Sequence, residues 1–114
     1  MKKVLYTYRA ICVRIISGDT MEAMIDLGFN TWTKIKVKLH GIISPSVGAK
    51  TEKERKKGRE ARDRLKEILF EEDFILESKS LGKYGRSIAN IHCHGHNINQ
   101  QMIDEGHAIE YVTD

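Results

Sequence analysis

The chain has 114 residues, 40% of them hydrophobic and 31% charged, which fits one globular domain over 1–114 with one core and little more. Its net charge of +3 and pI of about 8.9 are mildly basic, compatible with an anionic partner but not diagnostic of one. No stretch is long and apolar enough for a spanning helix, so no membrane partner is expected.

The opening MKKVLYTYRAICV places two lysines before an apolar run, as a signal peptide would. Arg9 interrupts that run and no small-residue cleavage site follows, so export is not expected. Val4 to Ser17 alternates and is rich in β-branched and aromatic residues, which predicts a strand. SGDT (Ser17–Thr20) reads as a turn, Met21 to Leu27 as a second strand, and GFNTW as another turn. Thr33 to Leu39 has the clearest period of two, with Lys34, Lys36 and Lys38 on one face and Ile35, Val37 and Leu39 on the other. KLHGIISPS then reads as the end of a buried strand entering a proline turn. From about Thr51 to Phe70, Ala61, Leu65, Ile68 and Leu69 recur at helical spacing among charges, predicting an amphipathic helix. Asp73 to Lys79 reads as a fourth strand, LGKYGR as a loop, Arg86 to Cys93 as a fifth strand, and His94-Gly95 as a turn. Asn97 or Asn99 then caps a short helix running through Glu105 and closed by Gly106.

Three meandering strands, a helix, two strands and a short C-terminal helix give the order expected of a five-stranded OB-fold β-barrel with α-helices. Cys12 and Cys93 have neither metal-site nor disulfide spacing. Each lies in an apolar, strand-like context, so both read as buried free thiols in a reducing, cytoplasmic setting.

The motifs SGDT, KVKLHGIISPS, GREARDRL, KYGRSIANI and NINQQMIDEGHA stand in the order found in the staphylococcal nuclease-like family. The chain resembles that family from about Ile11 to Tyr111, and IDLGF…TKIKVKL is similar to its short phage and bacterial members. The resemblance implies an OB barrel with helices and Ca²⁺-dependent cleavage of DNA and RNA. In such chemistry a carboxylate-held cation polarises the phosphate, two arginines clamp it, and a glutamate activates water. Carried over residue by residue, Asp19 matches the first metal-ligand aspartate and Ser44 a threonine that offers its backbone carbonyl to the metal. Ile43 stands where the second aspartate ligand belongs, and an aliphatic side chain cannot bind Ca²⁺. Ser46 replaces the glutamate base, and a serine hydroxyl has neither the charge nor the pKa for that role. Lys38 replaces the first arginine, keeping the charge but losing the planar fork. Arg86 matches the second arginine, while Lys83 and Tyr84 match phosphate- and base-contacting positions. A mobile acid such as Glu52 or Glu54 is not expected to swing in and replace the missing base.

Outside these motifs, Lys34 and Lys36 suggest a phosphate track, with Tyr84, Tyr111 and Trp32 as sparse stacking platforms. HCHGH places His92 and His94 two apart, a weak metal pattern that reads more simply as exposed polar residues at a hairpin end. The run Lys50 to Arg59 mixes signs and reads as a solvated helix face, and Gly58, Ala61 and Gly106 read as structural.

The expected function is a degenerate nuclease-like domain, inactive or strongly impaired, that binds DNA or RNA through its basic barrel face. The alternatives are a protein-interaction or inhibitor module on the same scaffold, and a metal-dependent phosphodiesterase. Ca²⁺ enters only if the site is active. The expected setting is a cytoplasm, that of a host if the chain is phage-encoded.

Overall fold

The computed structural model describes residues 6–81 and 86–111, so Val4, Leu5, Lys83 and Tyr84 lie outside the described residues. The elements are β1 (Tyr6–Ser17), β2 (Thr20–Asp26), β3 (Trp32–Leu39), β4 (Ile42–Ile43), α1 (Glu52–Leu69), β5 (Asp73–Leu81), β6 (Arg86–Cys93), β7 (His96–Asn97), α2 (Ile98–Asp104) and β8 (Ile109–Glu110). The five strands and two helices read from the sequence are all present. Three short elements were not anticipated: β7, which extends the end of β6, and the β4–β8 ribbon.

A barrel forms because β1 serves two neighbours. Its first half pairs antiparallel with β5, from Tyr6 opposite Ser78 to Ile11 opposite Asp73. Its second half pairs with β2, from Ala10 opposite Ile25 to Ser17 opposite Thr20. Irregularities between Cys12 and Arg14 and between Ile15 and Ser17 bend the strand around the corner, as β-bulges do. β2 pairs with β3, β5 pairs with β6, and a parallel β3–β6 pairing closes the ring, with Lys36 opposite Arg86 and Leu39 opposite Ala89. This is an OB barrel.

The inward face of each strand supplies the core, including Met21, Val37, Leu39, Phe74, Leu76 and Ile91. α1 adds Ala61, Leu65 and Leu69, and α2 adds Ile98 and Met102. Burying side chains of this size contributes about 1.5–3 kcal/mol each. Both cysteines are free; Cys93 is buried and Cys12 half-buried.

α1 starts where Thr51 caps it, its Oγ1 accepting from Glu54 N–H at 3.2 Å. The helix lies flat against the β1–β2 turn and the loop after β4. A Cβ on Gly58 would sit 2.5 Å from the Ser46 carbonyl oxygen, and one on Gly18 would sit 2.6 Å from the Ala61 Cβ. Of the two candidate caps for α2, Asn97 does the capping, accepting from Gln100 N–H at 3.1 Å. Asn99 is buried and joins three segments. Its Oδ1 accepts from Ile91 N–H at 3.0 Å, and its amide donates to His40 O at 2.8 Å and Ala89 O at 3.1 Å.

Candidate functional site

At the β1–β2 turn, Ser17 and Thr20 are paired and Asp19 is only 8% exposed. Its backbone carbonyl accepts from Leu39 N–H at 2.8 Å, which ties the turn to the end of β3. Oδ1 accepts from the Ser17 and Thr20 hydroxyls, both at 2.8 Å. Oδ2 accepts from Lys38 Nζ and Ser44 N–H, both at 3.1 Å. Burial pushes this carboxyl up. The Ser44 N–H, the Ser17 hydroxyl, the Lys38 charge and the Thr20 hydroxyl more than offset it, and the net pKa is lowered from the ordinary 3.8.

Lys38 lies on β3 opposite Thr20. Its ammonium donates to Asp19 Oδ2 and also, at 3.3 Å, to the Ile42 carbonyl. A carboxylate and a carbonyl converging on one point suit a hard cation, and the ammonium already holds that point. The Ca²⁺ that the family resemblance implies does not fit these residues. It takes about six to eight oxygen ligands, and each Asp19 oxygen already has two protein donors. A dication on Oδ2 would also be repelled by the Lys38 ammonium 3.1 Å from the same oxygen, a repulsion that the 41% exposure of the lysine side chain weakens without removing.

The loop after β4 faces this point with backbone rather than acids. It is the Ser44 N–H that meets Asp19, and the Ser44 Oγ is buried without a partner. Ile43 is 39% exposed and pairs with Ile109, 67% exposed, across the β4–β8 ribbon. Ser46 Oγ accepts from Gly48 N–H at 3.0 Å, closing its own loop. Glu52 is held by Arg55 at 3.1 Å and Arg59 at 2.7 Å, so it is anchored on the first turns of α1.

Lys34 and Lys36 are exposed on the outer face of β3, opposite Met24 and Glu22 of β2. Glu22 is engaged by Arg14 at 2.8 Å, and that bond above all, with the Arg14, Lys34 and Lys36 charges, lowers its pKa against a desolvation that raises it. The β3–β6 pairing brings the Arg86 backbone beside Lys36; the Arg86 side chain lies outside the described atoms. Trp32 has Arg9 over its ring at 5.7 Å, so one of its faces is already taken. Tyr111 is exposed, its N–H bonded to Gly41 O at 2.8 Å. The structure therefore gathers Asp19, Lys38 and Ser44 into one cluster and sets Lys34 and Lys36 along a separate edge.

The sequence model of the family described as staphylococcal nuclease homologue matches residues 36–114. The chain belongs to this family. Lys38, Ile43, Ser44, Ser46 and Arg86 fall inside the matched segment, and Asp19 precedes it. Among individual relatives, a micrococcal nuclease of Shigella flexneri is 29% identical over 113 residues, covering 91% of this chain and 59% of that protein. The protein ParB of Escherichia coli is 27% identical over 112 residues, with 90% and 57% covered. An uncharacterised 38.1 kDa protein of Capnoides sempervirens is 28% identical over 100 residues, with 88% and 26% covered. This chain thus spans at most 59% of the length of these relatives.

Elsewhere on this nuclease homologue, His94 stands in a left-handed turn (φ 52°) with Nε2 2.8 Å from Glu72, not on the strand face with His92. Among the described residues no group of three metal-ligating side chains occurs, and no helix is long and apolar enough to cross a membrane. Two features escaped sequence reasoning. Phe29 is fully exposed in the β2–β3 turn, where Gly28, Phe29 and Asn30 all have positive φ. The second is the Arg14–Glu22 pair beside the lysine edge, and neither carries a motif signal.

Proposed function

We propose that this chain is a nucleic-acid-binding member of its family in which phosphodiester cleavage is lost or strongly impaired. Lys34 and Lys36 would track the phosphates, with Lys83, Tyr84 and Arg86 of the KYGR motif and Tyr111 beyond β8 as further contacts. The observation that carries this reading is the Lys38 ammonium at 3.1 Å from Asp19, in a site whose other expected acids are Ile43 and Ser46. Losing one preorganised electrostatic group commonly costs about 100- to 1,000-fold in rate, and here a base, a metal ligand and an arginine fork are replaced together. The anchoring of Glu52 by Arg55 and Arg59 argues against Glu52 as a rescuing acid. The setting we propose is a cytoplasm, host or bacterial, in which Cys12 and Cys93 stay reduced.

The test is purified protein with labelled single- and double-stranded DNA and RNA, in Ca²⁺, Mg²⁺, Mn²⁺ or EDTA, beside Arg86→Ala. A gel shift that weakens steeply with salt, over an intact substrate, is the expected result. Metal-dependent cutting that disappears in Arg86→Ala would instead establish an active phosphodiesterase. A second reading, a protein-interaction module, is favoured by the exposed Ile43–Ile109 pair beside a cleft of about 390 Å³ that also includes Pro45 and Lys57. Neither cutting nor a shift would select it over nucleic-acid binding.

A further inference from the structure

We propose that Lys38 is the resident cation of the Asp19 site. A tethered ammonium occupies the point where carboxylate and carbonyl converge, making the site independent of divalent metal. The geometry is that of ligation. Lys38 Nζ is 3.1 Å from Asp19 Oδ2 and 3.3 Å from the Ile42 carbonyl oxygen, so one group bridges the β1–β2 turn and β4. Ser44 N–H completes the enclosure on the same carboxylate oxygen. An ammonium has three N–H donors, of which two are used among the described residues. The third remains for solvent or for one phosphate oxygen.

The cation is built into the chain, so it cannot be chelated. Two consequences follow. The folded protein should be indifferent to calcium, and a small neutral residue at position 38 should create a calcium-responsive site. In Lys38→Ala the Asp19 carboxylate and the Ile42 carbonyl lose their shared donor, and both become free to ligate. Few protein oxygens converge there, so the affinity should be about millimolar. The phosphate-facing role of the third N–H rests on the proposed nucleic-acid binding, whereas the metal test does not.

The experiment is a calcium titration to about 10 mM, above the roughly 1 mM of weak natural sites, at matched ionic strength. Thermal melts would be recorded for wild type, Lys38→Ala and Lys38→Ala/Asp19→Asn. The expected result is a flat wild type, a saturable rise in melting temperature for Lys38→Ala, and no rise for the double variant. A saturable rise in the wild type, or a Lys38→Ala response no greater than that of the double variant, would overturn the proposal. Should Lys38→Ala fail to fold, Mn²⁺ added to labelled wild-type protein decides. Unbroadened Asp19 and Ser44 amide signals support the built-in cation, and selective broadening of those signals refutes it. In gel shifts, wild-type binding should agree within about two-fold between Ca²⁺ and EDTA at equal ionic strength. A larger gain with Ca²⁺ counts against the proposal. Absence of binding in both removes the nucleic-acid reading, while the melts still judge the cation.

Discussion

Replacing Asn99 by alanine should destabilise the protein by about 3–4 kcal/mol, of the 5–15 kcal/mol typical of a domain. The figure follows from what each partner loses. Ile91 N–H points away from β5 and has Asn99 Oδ1 as its acceptor at 3.0 Å, so truncation orphans a donor on a fully buried residue. That alone costs about 2 kcal/mol. The amide's bonds to His40 O and Ala89 O add roughly 1 kcal/mol net rather than a full penalty each. Ala89 O keeps His40 N–H at 2.8 Å, and His40 lies at an exposed corner where water can replace the amide. A small cavity supplies the rest. Urea unfolding should show the loss directly, and a melt should shift down by about 15 °C for a chain of this length. Asn99→Asp sharpens the test, because it keeps the size and the acceptor for Ile91 but turns a carboxylate oxygen toward the carbonyls of His40 and Ala89. It should be at least as damaging at neutral pH. A cost below about 1 kcal/mol for Asn99→Ala, or near-wild-type stability for Asn99→Asp, would refute the reasoning.

Other perturbations probe the site and its supports. Gly58→Ala puts a methyl 2.5 Å from the Ser46 carbonyl, so the 44–48 loop must move; a cost of about 1–3 kcal/mol is expected, with altered amide shifts at Ser44 in an NMR spectrum. The Asp19 pKa is lowered in the folded state, so its contribution is complete above about pH 4 and is lost as pH falls through the folded value. Acid unfolding of Asp19→Asn, compared with wild type, should lack this component. Glu105 is held by Arg64 at 2.6 and 2.9 Å, with help from Gln101, which brings its pKa to about 2; carbon-13 NMR should find its midpoint well below 4.5, returning toward that value in Arg64→Ala. Its stabilising contribution is present above about pH 4.5 and fades as pH drops toward 2. Lys36→Ala should weaken nucleic-acid binding across sequences alike and reduce the salt slope by about 1, as fluorescence anisotropy over a salt series would show.

Local pattern made the barrel legible before the structure. Thr33–Leu39 alternates strictly because one face is buried, and Ala61, Leu65 and Leu69 repeat at helical spacing because α1 has one side to bury. The β4–β8 ribbon was not legible, because two-residue strands have no period and pair residues far apart in the chain. Asn99 was half-legible, since an asparagine just before a short helix looks like a cap whether it faces water or the core. At Lys38 the alternation correctly placed the side chain on the outer face. The sequence could not say that its flexible stem would reach Asp19 and Ile42, because that contact depends on the β1–β2 turn folding beneath β3. Resemblance pointed to Asp19, Lys38 and Ser44, and register with side-chain reach shows the contacts among them.

The parallel β3–β6 seam gives the two halves of the basic surface different histories. The Asp19–Lys38 cluster is assembled within residues 17–44, through the β1–β2 turn, β3 and the following loop. The Lys36–Arg86 neighbourhood exists only once α1 and β5 have formed and β6 has docked beside β3. Closing so long a loop is entropically late, and non-local pairings of this kind slow folding. On a ribosome, the Asp19–Lys38 pair would take shape while the Lys36 side of β3 was still waiting for its second strand. The seam also runs through Lys38, which lies opposite Ile88, so opening it would loosen the Lys36–Arg86 neighbourhood and the support of the Asp19 cluster together.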